Sequence, residues 1–579
     1  MADGWDPELR RRVLDWVADD PDPVTREEVG DLADRADEGH AGAIDDLADR
    51  FAADLAFGTA GLRGALGGGP NRMNLAVVIR AAAGITAWLA ETAGPDGPAR
   101  GVAVCFDARH RSADFAEASA AVFAAAGIRA HVLPGPLPTP VLSFAVRHLG
   151  AAAGVMVTAS HNPPTDNGYK VYDGTGRQIV APTDSRIASA MATVERVTAV
   201  PRTGPDDPDI VRLGDDVVAA YVHGAARVGR VPGARVVTVA YTAMHGVGAA
   251  TFRRVLASAG YAPAVEVAEQ VEPDPEFPTV AFPNPEEPGA LDLGLATAVA
   301  ANAQVLVAHD PDADRLGIAV PDPARGPASS TEGWRALQGD EIGAVLAHHL
   351  LTHGGFAPDE VMATTIVSST LLRRMASAAG VPFVETLTGF KWITRAPGKG
   401  QALGFGYEEA LGFSVGHLVG DKDGITAAVV FAEAVAVLAA EGRSVLDVLD
   451  DLAVVHGVHL TGQWSARVAG ADGMARLAAV MAALRAAPPA ELADRAVTSV
   501  VDLVDGDAER GFVVSDVVVL HLNGARIVVR PSGTEPKLKC YVEVVEPVAD
   551  AAGLAASRTR AAAALAELTE AIAAVTGLS

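Results

Sequence analysis

The chain has 579 residues, 49% of them hydrophobic and 20% charged, which indicates a folded protein of three to four domains and excludes a disordered chain. A formal net charge of −26 argues against a nucleic-acid partner, because phosphate backbones attract lysine and arginine. We expect no membrane partner and a cytoplasmic location, since the apolar stretches are interrupted by charge or glycine and the N-terminus is too charged for a secretory signal. Two cysteines, Cys105 and Cys540, are too few for a disulfide framework and are expected to be buried thiols.

The first fifty residues contain two stretches, WDPELRRRVLDWV and EVGDLADRAD, that are typical of amphipathic packing helices. Further along the chain, one pattern of strand, polar loop, helix and strand occurs three times. The three helices are predicted to end at Gly127, Gly260 and Gly380, because glycine is the usual residue just past a last helical turn. Strands that alternate with helices in this way predict three related α/β domains with parallel or mixed sheets.

The C-terminal part has a different pattern. The segment VVVLHL-Asn523-Gly524-ARIVVR predicts a β-hairpin, and a strand and an alanine-rich helix from about Asp550 follow it, so we expect a separate α+β domain. The predicted domains are residues 1–205, 206–325, 326–455 and 456–579, arranged around one central cleft. Residues 321–339 read as a linker or an exposed hairpin.

Each α/β repeat is followed by a strand that leads into a polar loop, and open α/β sheets bind ligands at the carboxyl ends of their strands. In the first repeat this loop contains Ser160. A serine before Asn-Pro is equally typical of a turn. We expect no hydrolase pair with His161, because adjacent residues of an extended loop point apart and no G-x-S-x-G motif is present.

The loop after the second repeat contains Asp310, Asp312 and Asp314, which are expected to converge on one side of the chain. Three hard oxygen ligands suit Mg²⁺. A calcium-binding EF-hand does not fit, since Arg315 and Pro321 stand where that loop needs glycine and glutamate.

The third loop contains Glu408 and Glu409, whose carboxylates are good acceptors for sugar hydroxyl groups. Neighbouring glutamates rarely form a glycosidase acid–base pair. The C-terminal hairpin leads into a loop of donors that suits a phosphate group, and lysine or arginine lies in several other loops. Because the net charge is negative, an anionic substrate requires these cations to be focused in one place. The donor residues are Arg63, Lys170, Arg315, Lys391, Arg530, Ser532, Gly533, Thr534 and Lys537.

The motifs FGTAGLRG at 57–64, TASHNP at 158–163, DPDADR at 310–315, EEALG at 408–412 and RPSGTEPK at 530–537 resemble, in this order, those of the α-D-phosphohexomutase family of phosphoglucomutases and phosphomannomutases. The resemblance spans nearly the whole chain. YTAMHGVG and DKDG are most similar to the phosphoglucomutase-2-like branch.

The resemblance implies that Ser160 carries a phosphoryl group, beside Arg63, and that a phosphoryl oxygen joins the three aspartates around Mg²⁺. It implies general acid/base or substrate contact for Lys170, with His161 as the alternative. It further implies sugar contacts for Glu408 and Glu409. Substrate binding is implied for the remaining donors: Arg315, Lys391, Arg530, Ser532, Gly533, Thr534 and Lys537.

The implied enzyme is an intramolecular phosphotransferase that interconverts hexose 1-phosphate and hexose 6-phosphate, of glucose or mannose, through a phosphoserine and a sugar bisphosphate that also acts as activator. A phosphopentomutase and a sugar bisphosphate synthase are alternatives. A phosphatase and a non-catalytic sugar-phosphate binding protein are two further ones. The expected partner is a small phosphosugar, and the expected assembly is a monomer or homodimer.

Overall fold

The computed structural model describes residues 5–55, 61–468, 473–532 and 537–578. Their contacts divide the chain into two compact units. The first unit comprises Met1–Val228, Val236–Arg335 and Leu418–Val429, and the second comprises Gly229–Arg235, Ala336–His417 and Val430–Ser579.

The first unit begins with a helical extension, which we define as α1 (Pro7–Asp19), α2 (Pro23–Asp37) and α3 (Ala41–Arg50). Asp6 and Asp22 cap the first two helices, each followed by a proline in the first turn. The extension has a small apolar core, and Trp16 packs against both this core and that of the next domain. The predicted amphipathic helices are therefore present as packing elements.

The first α/β domain follows, with a six-stranded mixed sheet in the order β1-β5-β4-β2-β3-β6. The strands β2, β3, β4 and β6 run parallel, while β5 and β1 add an antiparallel edge. The elements are β1 (Leu62–Ala65), α4 (Leu75–Thr92), α5 (Gly97–Arg100), β2 (Val102–Phe106), α6 (Ser112–Ala125), β3 (Ala130–Pro136), α7 (Thr139–Leu149), β4 (Ala153–Val157), β5 (Asp166–Asp173), α8 (Thr183–Ala192) and β6 (Ile210–Arg212).

The second sheet, also in the first unit, has the order β11-β10-β9-β7-β8. Its elements are α9 (Asp216–Ala225), β7 (Val239–Thr242), α10 (Gly248–Ala259), β8 (Val265–Glu266), α11 (Asp292–Ala300), β9 (Val305–Ala308), β10 (Gly317–Pro321) and β11 (Trp334–Ala336). Within residues 321–339 the chain returns to the sheet as the edge strand β11, which lies beside β10 and agrees with the hairpin alternative of the prediction. The divisions at 205, 325 and 455 stay a prediction.

The second unit contains a four-stranded sheet in the order β13-β12-β14-β15. Its elements are α12 (Gly339–Thr352), β12 (Glu360–Thr365), α13 (Leu371–Ala379), β13 (Phe383–Thr386), α14 (Phe390–Ile393), β14 (Ala402–Glu408), β15 (Gly412–Val415) and α16 (Val445–His456); α15 (Gly424–Ala440) begins in the first unit and ends in the second. The helices of the three repeats end as predicted at Gly127, Gly260 and Gly380. Their φ values are 72°, 84° and 70°, a left-handed backbone that glycine adopts without the strain that a side chain would cause.

The C-terminal sheet of the second unit has the order β16-β21-β20-β19-β18-β17. It is antiparallel, and β19 and β20 form the predicted hairpin at Asn523-Gly524. An apolar cluster that includes Ile366, Val528 and Tyr541 joins this sheet to the preceding one. The elements are β16 (Val458–Arg467), α17 (Gly473–Ala486), β17 (Glu491–Leu492), β18 (Arg495–Asp502), β19 (Val518–Leu522), β20 (Ala525–Pro531), β21 (Lys537–Glu546) and α18 (Leu554–Thr576). Cys105 and Cys540 are buried free thiols, as predicted.

Among the described residues one helix, α4, is long and apolar enough to cross a membrane. Half of its apolar stretch is buried inside the protein, where Val78, Ile79 and Ile85 belong to the core of the first domain. The core helix of a folded protein meets the same criterion of length and apolar composition. The pair α15 and α16 reaches spanning length only together, with a bend of 90° between them.

Candidate active site

Ser160 lies in the loop that follows β4 and is 2% exposed. Its backbone is left-handed, with φ of 55°, and its amide donates to the Thr158 hydroxyl at 2.8 Å. A left-handed serine is strained and persists only where its surroundings hold it. The loop therefore presents the serine hydroxyl in a fixed, unusual orientation.

His161 contacts Ser160, which corrects the prediction that their side chains point apart. The Ser160 Oγ lies 3.2 Å from His161 Nδ1. The prediction assumed an extended loop, whereas the left-handed turn at Ser160 brings the two side chains to the same side. Burial, and then Arg315 and Arg63, lower the pKa of His161 well below its usual value, so the ring is neutral near pH 7.

Asp310, Asp312 and Asp314 follow β9 and are fully buried. Each offers a ligand atom, and these atoms lie within 4.8 Å of one another, as predicted. The loop reaches this geometry through a turn, since Ala313 has φ of 51°. The Ser160 hydroxyl donates to Asp310 Oδ2 at 2.8 Å, so the serine and the carboxylate cluster form one site.

These residues fit a divalent cation. Asp312 Oδ1 and Asp314 Oδ1 are buried and accept no hydrogen bond from the described residues. Burial, and then the neighbouring carboxylates, raise the pKa of Asp310 well above its usual value. A hard cation relieves both the unmet acceptors and the mutual repulsion, and three oxygen ligands suit Mg²⁺.

Two lysines neutralise part of this charge. Lys170 on β5 lies 2.7 Å from Asp312 and 2.9 Å from Asp314, and Lys422 lies 2.7 Å from Asp314. Lys170 was predicted as an acid/base or substrate residue, and its ammonium group pairs here with two aspartates. Lys422 was missed as a site residue, although the motif DKDG contains it.

Arg63 and Arg315 lie beside the same cluster. Arg63 on β1 donates to Asn162 at 3.3 Å, while its buried Nε has no hydrogen-bond partner among the described residues. The Arg315 amide donates to Asp310 at 3.1 Å, and its guanidinium lies 3.8 Å from Glu286. The unmet, buried Nε of Arg63 suits an anion such as a phosphoryl group.

Arg109 is a second residue that sequence reasoning missed. It donates to the carbonyl oxygens of Ser160 and Pro163, both at 2.7 Å, to that of Asp166 at 3.1 Å, and also to that of Asn162. Arg109 thus holds the serine loop by its backbone. The available signal was its position in the polar loop after β2.

In the second unit, Glu408 ends β14 and is 8% exposed. Glu409 is half-buried and accepts hydrogen bonds from Ser368 at 3.1 Å and Thr365 at 3.4 Å. Burial, and then the carboxylates of Glu408 and Asp340, raise the pKa of Glu409 to about 7.

The predicted phosphate loop also belongs to the second unit. Arg530 lies on β20, opposite Lys539 of β21. The Ser532 amide donates to the carbonyl of Lys537 at 2.7 Å, so the loop ends are close together. Gly533 and Thr534 lie outside the described residues. Lys391 in α14 is 9% exposed, with Nζ 6.0 Å from the centroid of the neighbouring Trp392 ring.

A serine hydroxyl against three carboxylates, with cations around them, suits metal-assisted phosphoryl transfer. The chain belongs to the phosphoglucomutase/phosphomannomutase family, a family of phosphotransferase isomerases. Residues 54–198, 219–325 and 338–454 match the alpha/beta/alpha domains I, II and III of this family, and residues 466–561 match its C-terminal domain.

Two relatives agree with this assignment, and one solved structure has a similar fold. The chain is 42% identical to the "Probable phosphomannomutase" of Haemophilus influenzae, over 81% of this chain and 93% of the relative. It is 35% identical to the "Probable phosphoribomutase" of Schizosaccharomyces pombe, over 93% and 94%. The fold is similar to that of a phosphoglucomutase/phosphomannomutase family protein from Burkholderia thailandensis, with a TM-score of 0.66 and 19% identity over 89% of this chain and 97% of the other.

Proposed function

We propose that this protein is a phosphosugar mutase that interconverts the 1-phosphate and 6-phosphate of a hexose, glucose or mannose, through phosphorylated Ser160 and a sugar bisphosphate. The observation that carries this proposal is the 2.8 Å hydrogen bond from the Ser160 hydroxyl to Asp310 in a buried cluster of three carboxylates. Family membership and the phosphomannomutase relative support the hexose substrate.

In the first half-reaction, the free hydroxyl oxygen of the sugar monophosphate bonds to phosphorus while the bond from phosphorus to Ser160 Oγ breaks. The sugar loses its hydroxyl proton and the serine oxygen gains one. His161 is neutral and lies 3.2 Å from Oγ. We therefore assign to His161 the transfer of the proton from the sugar hydroxyl to the serine oxygen. Lys170 neutralises the aspartates instead.

Asp310, Asp312 and Asp314 would hold Mg²⁺, which when bound offsets the negative charge of the transferred phosphoryl group. Arg63 would contact the phosphoryl oxygens through its unmet buried donor. The bisphosphate formed in the first half-reaction turns end for end, and its other phosphate returns to Ser160. The same bisphosphate would act as activator by phosphorylating the serine of an idle enzyme.

The substrate contacts complete the proposal. Glu408 accepts hydrogen bonds from the sugar hydroxyls, and the loop with Arg530 and Lys537 binds the phosphate that does not react. Further contacts with the substrate come from Arg315, Lys391, Glu409, Ser532, Gly533 and Thr534. Cytoplasmic location, the lack of nucleic-acid and membrane partners, and a monomeric or homodimeric state stay predictions.

A pentose phosphate is the second candidate substrate. The observation that favours it is the phosphoribomutase relative, which matches 93% of this chain at 35% identity, against 81% for the phosphomannomutase relative.

The test is ³¹P NMR of the protein with Mg²⁺, a trace of glucose 1,6-bisphosphate, and glucose, mannose or ribose 1-phosphate in turn. We expect the signal of the terminal phosphate to appear with a hexose and to be lost in Ser160→Ala. A faster reaction with ribose 1-phosphate would replace the hexose by a pentose. Inorganic phosphate as the product would indicate a phosphatase, and no reaction despite binding would indicate a binding protein.

A further inference from the structure

We propose that the helical extension positions the nucleophile: Asp22, acting through Arg111, is a positioning residue for phosphoryl transfer at Ser160. This inference rests on the proposed function. The match to the first family domain begins at residue 54, so the extension precedes the part of the chain that this domain accounts for.

Asp22 is well placed to anchor a neighbouring segment. Its side chain is 4% exposed and accepts from Arg111 Nη2 at 2.7 Å. Its other oxygen accepts from the Val24 amide at 3.1 Å and caps α2, and its own amide donates to Asp20 at 3.1 Å. The carboxylate is therefore held by the start of a helix and has little freedom to follow a moving partner.

Arg111 has a backbone that needs such an anchor. It precedes α6 in a left-handed conformation with φ of 66°. A residue with a side chain persists in this region only when its surroundings hold it there. The Arg111 guanidinium is held by Asp22 and, at 2.6 Å, by Asp114.

The turn that contains Arg111 also holds the serine loop. Arg109, two residues earlier, donates to the carbonyl oxygen of Ser160 at 2.7 Å and to three further carbonyls of the loop. The Asn167 side chain donates to the His110 carbonyl at 2.8 Å. A shift of the turn is thus transmitted directly to the backbone of Ser160.

The extension holds a second segment of the site in the same way. Glu28 accepts from the Gly68 amide at 2.9 Å, and Arg50 donates to the Gly68 carbonyl at 3.1 Å. Gly68 belongs to the turn after β1, the strand that carries Arg63. Both contacts place the extension against segments that carry the phosphoryl-transfer residues.

The experiment compares the discharge of phosphorylated Ser160 in wild type, Asp22→Asn, Arg111→Gln and the double variant. Each protein is phosphorylated with glucose 1,6-bisphosphate, mixed with excess glucose 6-phosphate and quenched at short times. Asp37→Asn is the matched control, because Asp37 also accepts from an arginine at 2.8 Å, but this arginine, Arg10, lies within the helical extension itself. Thermal melting confirms that each variant is folded, and Arg111→Gln leaves the Asp22 helix cap intact.

We expect Asp22→Asn to discharge about tenfold more slowly than wild type, since a small misplacement of reacting atoms costs one to two orders of magnitude in rate. The KM for glucose 6-phosphate should stay unchanged, and the double variant should be no slower than the slower single variant, because both changes break one link. Discharge of Asp22→Asn at the rate of Asp37→Asn, or additive effects, would overturn the inference. Failure of wild type to discharge would instead refute the proposed function.

Discussion

The substitution Asp340→Asn tests a buried carboxyl group of the second unit. Asp340 is 9% exposed and accepts from the Ser369 amide at 2.7 Å, the Tyr407 hydroxyl at 2.9 Å and the Thr461 hydroxyl at 2.8 Å. Burial, and then the charge of Glu543, raise its pKa to about 6, against the lowering effect of these hydrogen bonds. Asparagine has the same shape and no charge.

The raised pKa predicts that this group stabilises the protein most at low pH. Between its ordinary pKa of 3.8 and the folded value of about 6, the unfolded chain is ionised while the folded protein keeps the proton. Stability is therefore lost as pH rises through this range and stays constant above it. The difference between these two pKa values of Asp340 corresponds to about 3 kcal/mol in the free energy of unfolding.

The assay is thermal melting of wild type and Asp340→Asn between about pH 4 and pH 8, with Asp359→Asn, an exposed carboxyl of the same unit, as control. We expect the melting temperature of Asp340→Asn, relative to wild type, to rise by about 6 °C across this range and then to level off. The control should follow wild type. Parallel curves for wild type and Asp340→Asn would refute the raised pKa.

Three further predictions concern the first unit. Lys422→Met should destabilise it by about 2 kcal/mol in urea unfolding, because a buried Asp314 loses one of its cations; no change in the midpoint would contradict this. Gly246→Ala should weaken Mg²⁺ binding, measured by calorimetry, at least about tenfold, because the added Cβ would lie 2.3 Å from Pro311 Cα in the aspartate loop. The control Gly204→Ala has open space around the added Cβ and should bind Mg²⁺ as wild type does. Chelation of Mg²⁺ should lower the melting temperature of wild type, and equal melting with and without the ion would count against a metal site at the aspartates.

Much of the fold and part of the site follow from local patterns. The glycine-terminated helices at Gly127, Gly260 and Gly380 have the expected left-handed ends, and the aspartates after β9 converge as their spacing predicted. The glycine ends depend on a few neighbouring residues, and local backbone preference decides them. The aspartates converge as predicted, but through a left-handed turn at Ala313 that alanine does not prefer, so the surrounding structure imposes that turn.

The remaining features depend on contacts between distant segments. The left-handed backbone of Ser160, which brings His161 to its hydroxyl, is imposed by the surrounding structure rather than by the preference of serine. The contacts of Arg109 with the serine loop and of Lys422 with Asp314 join segments that are far apart in sequence. Residue spacing carries no information about such pairs, so only the folded structure identifies them.

The proposed mutase reaction requires that Ser160 carries the transferred phosphoryl group. The most direct measurement is mass spectrometry of the peptide that contains Ser160, after treatment with glucose 1,6-bisphosphate and Mg²⁺ and again after addition of glucose 6-phosphate. We expect the added mass of one phosphoryl group on Ser160, followed by its loss as sugar bisphosphate appears. A phosphoryl group on another residue, or one that leaves only as inorganic phosphate, would refute phosphoryl transfer through Ser160.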